Sequence, residues 1–460
     1  MDALHTDLYQ LTMAAGYFHR GMASRVATCE LFVRRLPRHR RFLVAMGLAR
    51  VVRYLEELRF TEEQIAYLSA LPALADAMTP AFCSYLRDFR FHGDVWAIPE
   101  GTAFFANEPV LRVTAPLIEA QLIETFALSA INHATAIASK AARIVLAAGD
   151  AGVIEFGTRR AHPEAAIDAA RVAYAVGCVG TSNVEAGMRF GIPVLGTAAH
   201  MWTMAHPTEQ AAFEAYVAVF PSAAILLIDT YDTLVGAARA AAIARDKLKG
   251  VRLDSGDLGA LSVAVRRILD DAGCTSAKIV ASGDLNEHRI AELRRAGAPI
   301  DLYGVGTDLV TSIDAPALGG VYKLVEIGDV ERGAGGERTP IAKFSEGKAT
   351  LPGAHQVHRF RDRSGKLARD VIALDGEPMS PDAEPLLAPV MARGARVAPR
   401  EALDAVRLRA RAELAGLPEA LLSIDDEPEP GAPFAAEVSP RLGALVEAVR
   451  ARVVSGAGHP

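Results

Sequence analysis

From about residue 150 to residue 327, short apolar runs alternate with helical stretches of roughly 10 to 15 residues, a pattern typical of βα units around a parallel sheet. The sequence predicts strands at 153–156, 178–181, 194–197, 224–229, 251–254, 278–282, 302–305 and 321–325. This alternation constrains the fold more than any other feature, because parallel strands need a covering helix between them.

Polar residues stand at the C-terminal end of nearly every predicted strand. In a closed barrel these ends converge on one face, whereas an open sheet spreads them along its edge. We therefore predict an α/β fold: an irregular TIM-like α/β barrel with an N-terminal α+β domain and a smaller C-terminal extension. The polar strand ends are 158–160, 181–183, His200, Asp229, Asp254, 282–284 and 306–307.

The predicted domains are 1–116, an N-terminal α+β domain, 117–330, the barrel with the active site, and 331–460, a C-terminal segment of loops and a helix that packs back on the N-terminal domain. Residues 117–148 contain no proline or glycine, which predicts a long helix. The acidic, proline-containing stretch 425–430 is predicted to be a linker.

Charge and cysteine content exclude several classes of protein. The formal net charge of −6 gives no overall basic field, which argues against nucleic-acid binding. The four cysteines lie far apart without a CxxC pair, so neither a zinc site nor a disulfide framework is indicated. Neither a signal-peptide pattern nor an apolar run of bilayer length is present, so we expect a cytoplasmic protein without membrane contact.

His200 is the first catalytic candidate. It follows the apolar run 192–195, and a histidine just past a strand end lies where barrel enzymes carry their chemistry. The alternative is a buried histidine packed near Trp202 and Met204.

Two glycine-containing loops predict a phosphate site. Gly304 lies near the end of one strand and Gly306 and Thr307 follow it, while Gly283 follows the strand before it. Glycines at strand ends let backbone N–H groups approach a phosphate, and the last βα loops of a barrel are a common phosphate site. Ordinary turn formation is the alternative for each loop alone.

Two further segments predict recognition of an anionic ligand. Arg252 and Asp254 alternate with Leu253 along a strand, so their side chains point to the same side. There Arg252 would bind an anion and Asp254 would bind sugar hydroxyls, or the two would form a structural ion pair. Phe156 with Arg159 would suit a flat anionic ring, although a core phenylalanine beside solvated arginines fits this segment equally well.

Taken together, these motifs resemble those of the nicotinate phosphoribosyltransferase family. The resemblance covers roughly residues 5 to 330. It is carried by TDLYQLTM at 6–13, EFGTRR at 155–160, GTSN at 180–183, GTAAH at 196–200, DTYD at 229–232, RLDSGD at 252–257 and GVGT at 304–307. The resemblance implies transfer of 5-phosphoribosyl from phosphoribosyl pyrophosphate (PRPP) to nicotinate, giving nicotinate mononucleotide for NAD salvage. It also implies a homodimer whose active sites are shared between subunits.

The resemblance also implies roles for individual residues. His200 would be the phosphohistidine that couples the reaction to ATP, a co-substrate. Arg252 and Asp254 would hold the base and the ribose hydroxyls. Mg²⁺ would arrive bound to the pyrophosphate; Asp229 or Asp232 would contact it through water, and no residue would bind it directly. Phe156 and the partner subunit's Tyr9 would cover the two faces of the pyridine ring, and Arg159, Thr181 and Ser182 would also bind substrate. The residues implied to bind the 5-phosphate are Gly283, Gly304, Gly306 and Thr307.

Three other functions remain open. Nicotinamide phosphoribosyltransferases resemble the chain at the same motifs but carry an acidic residue where this sequence has Ser182, and a carboxylate there would repel an anionic acid. A quinolinate phosphoribosyltransferase would need more basic residues for two carboxylates. A nucleotide-sensing protein could keep the phosphate loops without catalysis.

Overall fold

The structure is a computed structural model that describes residues 3–328, 338–424 and 434–455. These residues fall into two compact units. Unit 1 contains residues of 1–135, 317–421 and 428–460, and unit 2 contains residues of 136–316 and 422–427. The predicted linker at 425–430 lies outside the described residues.

The strands are, in chain order, β1 (Val26–Val33), β2 (Leu43–Val44), β3 (Asp94–Ala97), β4 (Ala103–Phe104), β5 (Pro109–Pro116), β6 (Gly152–Glu155), β7 (Gly180–Thr181), β8 (Ile225–Leu227), β9 (Gly250–Leu253), β10 (Lys278–Ala281), β11 (Leu302–Val305), β12 (Gly320–Gly328), β13 (Thr339–Pro340), β14 (His355–Arg361), β15 (Leu367–Leu374), β16 (Glu384–Pro385), β17 (Ala388–Ala392), β18 (Ala395–Arg396) and β19 (Glu437–Val438).

The helices are α1 (Leu8–His19), α2 (Leu48–Glu57), α3 (Glu62–Ala70), α4 (Pro80–Asp88), α5 (Leu117–Leu122), α6 (Glu124–Ala148), α7 (Pro163–Ala175), α8 (Val184–Phe190), α9 (His200–Met204), α10 (Glu209–Val219), α11 (Thr233–Ala244), α12 (Leu258–Asp271), α13 (Glu287–Arg295), α14 (Thr307–Thr311), α15 (Leu403–Gly416), α16 (Glu419–Leu422) and α17 (Pro440–Val454). None of the helices described is long and apolar enough to span a membrane.

Unit 1 is built on a seven-stranded sheet in the order β13-β12-β1-β5-β3-β17-β18. Strand β1 pairs antiparallel with β5 on one side and with β12 on the other. Its sequence, Val-Ala-Thr-Cys-Glu-Leu-Phe-Val, is rich in β-branched and apolar residues, and nearly all of it is buried. A four-stranded sheet, β16-β14-β15-β19, completes the β-structure of this unit with the two-stranded β2-β4.

Unit 2 contains a six-stranded sheet in the order β7-β6-β11-β10-β9-β8, with every described pair parallel. The prediction of an α/β fold with a parallel sheet is confirmed. A single bridge from Thr181 adds Val194 beyond β7, so the predicted strand at 194–197 contributes one residue. Within the described part of the chain, the two edge strands β7 and β8 do not pair with each other, so the hydrogen-bonded sheet does not close into a full barrel.

The eighth predicted strand was assigned to the wrong sheet. Residues 321–325 lie in β12, which pairs antiparallel with β1 in unit 1. Only the five-residue helix α14 separates β11 from this segment, and a short apolar run is compatible with either kind of sheet. The predicted helix at 117–148 forms two helices, α5 and α6, on either side of Ile123.

Candidate active site

The polar residues that follow the strands of unit 2 meet at one edge of its sheet. In a parallel sheet the carboxyl ends of the strands lie on the same side, so side chains from loops far apart in sequence come together there. Arg252 in β9 directly contacts Phe156, Thr197 and Ser282, which end three other predicted strands.

Arg252 lies at the centre of this cluster, with its side chain largely buried. Its Nε donates to Ser282 Oγ at 2.7 Å, Nη1 to Thr197 Oγ1 at 3.1 Å and Nη2 to Asp254 Oδ1 at 2.6 Å. A guanidinium has five N–H bonds, so three are used by described residues and two remain to bind an anion.

Asp254 is held mainly through one carboxylate oxygen. Oδ1 accepts from both Arg252 and Ser282, while Oδ2 faces His200 Nε2 at 3.8 Å, beyond hydrogen-bonding distance. Burial raises the pKa of Asp254, but the Ser282 hydrogen bond and the charges of Arg252 and His200 outweigh burial, so its pKa lies below the ordinary value. The cluster therefore presents an ionised carboxylate with Oδ2 available.

Asp229, after β8, fixes the backbone of the next loop. Its Oδ2 accepts from the Asp254 backbone N–H at 2.9 Å and from Ser255 Oγ at 2.7 Å. Its Oδ1 is buried and has no hydrogen-bond partner among the described residues. Asp232, by contrast, caps helix α11 by accepting from the Val235 backbone N–H at 2.9 Å. Of the two aspartates, Asp229 has a buried oxygen without a partner, whereas Asp232 is exposed.

His200 begins helix α9 and is partly exposed. Its Nδ1 lies 3.1 Å from Thr230 Oγ1, which leaves Nε2 facing Asp254 without a hydrogen bond. The alternative of a histidine packed against Trp202 does not match this arrangement, since the Trp202 ring contacts His206, with centroids 4.7 Å apart, and donates to the Ala212 carbonyl.

The Phe156 ring is partly buried and lies next to Arg252 and Gly304. The guanidinium carbon of Arg252 lies 5.5 Å from the ring centroid, within cation–π range. Gly304 is buried within β11, and a Cβ at this position would lie only 2.4 Å from Phe156 Cδ2. The missing side chain of Gly304 thus makes room for the ring, a contact that the sequence did not reveal.

Two of the predicted loop glycines, Gly283 and Gly306, lie against residues of this cluster. Gly283 has φ +96°, and a Cβ there would lie 2.2 Å from the Asp254 carbonyl oxygen, so the turn requires glycine. Gly306 precedes α14 and Thr307 is its first residue.

A buried carboxylate, Glu155, joins the loops after β6 and β7. Its side chain accepts from Thr181 Oγ1 at 2.5 Å and from the Gly157 backbone N–H, and its own carbonyl accepts from the Ser182 N–H at 2.9 Å. Burial raises the pKa of Glu155, although both donors act in the opposite direction. Sequence reasoning missed this residue; its signal was a lone acidic residue at the end of an apolar strand.

Two predicted residues are not part of these contacts. Arg159 lies in a short 3-10 helix at Thr158–Arg160 with its side chain exposed. Tyr9 belongs to unit 1, where it lies near the start of α1 and is 48% exposed. Among the described residues, no group of three or more His, Cys, Asp or Glu side chains forms a metal cluster.

Comparison with known proteins places this geometry in a family. Residues 4–132 match the nicotinate phosphoribosyltransferase (NAPRTase) N-terminal domain, and residues 152–363 match the nicotinate phosphoribosyltransferase (NAPRTase) family. The chain belongs to the nicotinate phosphoribosyltransferase family. The resemblance seen in the sequence motifs is thereby confirmed, and the chain is an enzyme of NAD biosynthesis.

Individual members of the nicotinate phosphoribosyltransferase family match most of the chain. The nicotinate phosphoribosyltransferase pncB2 of Mycobacterium tuberculosis is 45% identical, over 93% of this chain and 90% of that protein. The Bacillus subtilis nicotinate phosphoribosyltransferase is 44% identical, over 82% of this chain and 76% of that protein. The crystal structure of human nicotinic acid phosphoribosyltransferase superposes with a TM-score of 0.83 at 30% identity, over 97% of this chain and 99% of that one.

Proposed function

We propose that this enzyme transfers the 5-phosphoribosyl group of PRPP to the ring nitrogen of nicotinate, giving nicotinate mononucleotide and pyrophosphate in NAD salvage. The observation that carries the proposal is the cluster of Arg252, Asp254 and Phe156 at one end of the parallel sheet. A buried cation, an ionised carboxylate and an aromatic face are the groups that a sugar phosphate and a flat anionic ring require.

In the proposed reaction the C1–oxygen bond to pyrophosphate breaks, and the nicotinate nitrogen forms a bond to C1 with its lone pair. The departing pyrophosphate carries away the electron pair, so C1 becomes oxocarbenium-like in the transition state. Asp254 Oδ2 would stabilise this positive charge, and the two remaining N–H bonds of Arg252 would bind anionic groups. No protein nucleophile is needed, because positioning and charge stabilisation provide the catalysis.

The remaining substrate contacts are also proposals. Phe156 would stack on the pyridine ring, with Thr181, Ser182 and Arg159 around its carboxylate and the ribose phosphate region. The residues proposed for the 5-phosphate are Gly283, Gly306 and Thr307. Gly304, which the resemblance also implies for the phosphate, is proposed instead to make room for the Phe156 ring.

Mg²⁺ is proposed to enter with PRPP. It would neutralise charge on the leaving pyrophosphate. The buried, unpartnered Oδ1 of Asp229 fits a water-mediated contact, since Mg²⁺ keeps several waters and uses only one or two carboxylates.

ATP coupling is proposed to act through His200. Its partial exposure and its non-bonded Nε2 support phosphorylation at this nitrogen, because Nδ1 already contacts Thr230. The phosphorylated state would favour PRPP binding and would take no part in glycosyl transfer.

We also propose an irregular barrel for unit 2, a homodimer with shared active sites and a cytoplasmic location. The parallel order of six strands supports the barrel, and the four free cysteines suit a reducing compartment. Exposed apolar side chains on each unit, taken separately, support dimer formation. They are Val184, Met188, Met201, Met204 and Tyr231 in unit 2, and Tyr9 and Met13 on α1 in unit 1.

The deciding experiment measures product formation from nicotinate and PRPP with Mg²⁺, with and without ATP. Nicotinamide and quinolinate serve as competing acceptors. Nicotinate mononucleotide formed together with ADP would support the complete proposal, and product without ADP would remove the phosphohistidine. PRPP binding without nucleotide from any acceptor would indicate a sensor and refute the proposed activity.

A further inference from the structure

Ser282 joins the two most important polar side chains of the cluster through a single hydroxyl. It follows β10 and is 3% exposed. Its Oγ accepts from Arg252 Nε at 2.7 Å and lies in hydrogen-bonding contact with Asp254 Oδ1. The hydroxyl has one proton, and the other available acceptor is the Leu253 carbonyl at 3.3 Å, so the closer, charged carboxylate is the preferred partner.

The neighbouring side chains do not duplicate this link. Thr197 contacts Arg252 through its hydroxyl and donates to the Ala198 carbonyl. Asp229 holds the backbone N–H of Asp254, not its carboxylate. Ser282 therefore contacts both the cation and the carboxylate, which also bond directly to each other.

We propose that Ser282 is a positioning residue for phosphoribosyl transfer, acting through Arg252 and Asp254 without touching substrate. This inference rests on the proposed function. Because Ser282 and Arg252 both occupy Oδ1, the carboxylate meets the ribose through Oδ2 alone. Loss of the hydroxyl would leave Arg252 Nε–H without its acceptor and would allow the carboxylate to rotate.

The test compares Ser282→Ala with two matched variants. Thr197→Val removes a hydroxyl that contacts Arg252 but not Asp254. Ser262→Ala removes a buried hydroxyl on α12 that donates to the Gly259 carbonyl at 2.9 Å, away from the cluster. The measurements are kcat and KM for nicotinate and PRPP, the pH profile of kcat/KM, and the melting temperature.

Ser282→Ala should lower kcat/KM by roughly 10- to 100-fold, the range expected for hydrogen bonds to charged groups. Burial raises the pKa of Asp254, and the Ser282 hydrogen bond is the foremost contact that brings it below the ordinary value. Removing that bond should raise this pKa, so the acid limb of the profile should move to higher pH. Ser262→Ala should leave the profile unchanged, and Thr197→Val should lower kcat/KM without moving the acid limb.

The charged groups facing Asp254 are Arg252 on β9, His200 on α9 and Asp229 after β8, and all remain in these variants. Ionisation of the substrates affects the pH profile of every variant in the same way. If Ser282→Ala does not fold, Ser282→Cys, a weaker donor of similar size, should give a smaller shift in the same direction. An unshifted acid limb in the variant that folds would overturn the positioning role. Inactivity of the unaltered protein would overturn the proposed function as well.

Discussion

Gly304→Ala should weaken nicotinate binding, because the added methyl group would occupy the space of the Phe156 ring. The new Cβ would lie 2.4 and 2.5 Å from two ring carbons. Carbon atoms pack at roughly 3.5–4.0 Å, so the ring must move by about 1 Å or more. Overpacking of this kind costs about 1–3 kcal/mol, and a 1 Å misplacement near reacting groups can cost about 100-fold in rate.

The assay is steady-state kinetics with each substrate varied in turn. We expect kcat/KM for nicotinate to fall roughly 10- to 100-fold, while KM for PRPP stays within about twofold. Gly443→Ala on α17 is the matched control, since its Cβ would meet open space and an alanine there should stabilise the helix by up to about 1 kcal/mol.

The opposite pattern would refute this reasoning. A large rise in KM for PRPP with an unchanged KM for nicotinate would assign Gly304 to the phosphate cradle that the resemblance implies, and not to the ring site. Phe156→Leu in the Gly304→Ala background offers a further check. It should recover part of the lost melting temperature, because the smaller side chain relieves the clash, but it should not restore nicotinate affinity.

Three further predictions concern the proposed chemistry. Asp254→Asn keeps the side-chain volume but removes the charge, and it should lower kcat by roughly 10²- to 10³-fold in the nicotinate assay with little change in melting temperature. His200→Ala should abolish stimulation by ATP and ADP release while some ATP-independent product formation remains; equal loss in both assays would contradict this division. Ser182→Asp should lower kcat/KM for nicotinate relative to that for nicotinamide, because a carboxylate repels the nicotinate anion and can accept a hydrogen bond from the nicotinamide amide. An unchanged ratio of the two kcat/KM values would count against Ser182 as the residue that selects nicotinate.

The sequence predicted the parallel sheet well because buried strands of this kind are short, continuous apolar runs. Strands β6, β9, β10 and β11 lie within a residue of the predicted positions. The same signal failed at 321–325, since an apolar run does not show whether its partner is parallel or antiparallel. That choice depends on β1, almost 300 residues earlier in the chain.

Part of the site could be predicted from local spacing. Alternation along the predicted strand 251–254 indicated that Arg252 and Asp254 point to the same side. In the structure, Arg252 Nη2 lies 2.6 Å from Asp254 Oδ1. Hydroxyl partners such as Ser282, Thr197 and Thr230 were not predicted. Their contacts cross from one strand end to another, and a serine or threonine in a loop is far more often an ordinary turn residue. The role of Gly304 as space for an aromatic ring also requires three-dimensional coordinates.

The antiparallel pairing of β1 with β12 has a consequence for synthesis on the ribosome. Strand β1 pairs early with β5, but its other edge must wait for β12, which emerges about 300 residues later, or roughly 15–60 s at common elongation rates. Throughout that interval the nascent chain carries an apolar strand with one open edge, a template for aggregation. Residues 136–316, most of unit 2, are translated before this edge closes, so chaperone shielding of the N-terminal segment should determine the yield of native enzyme.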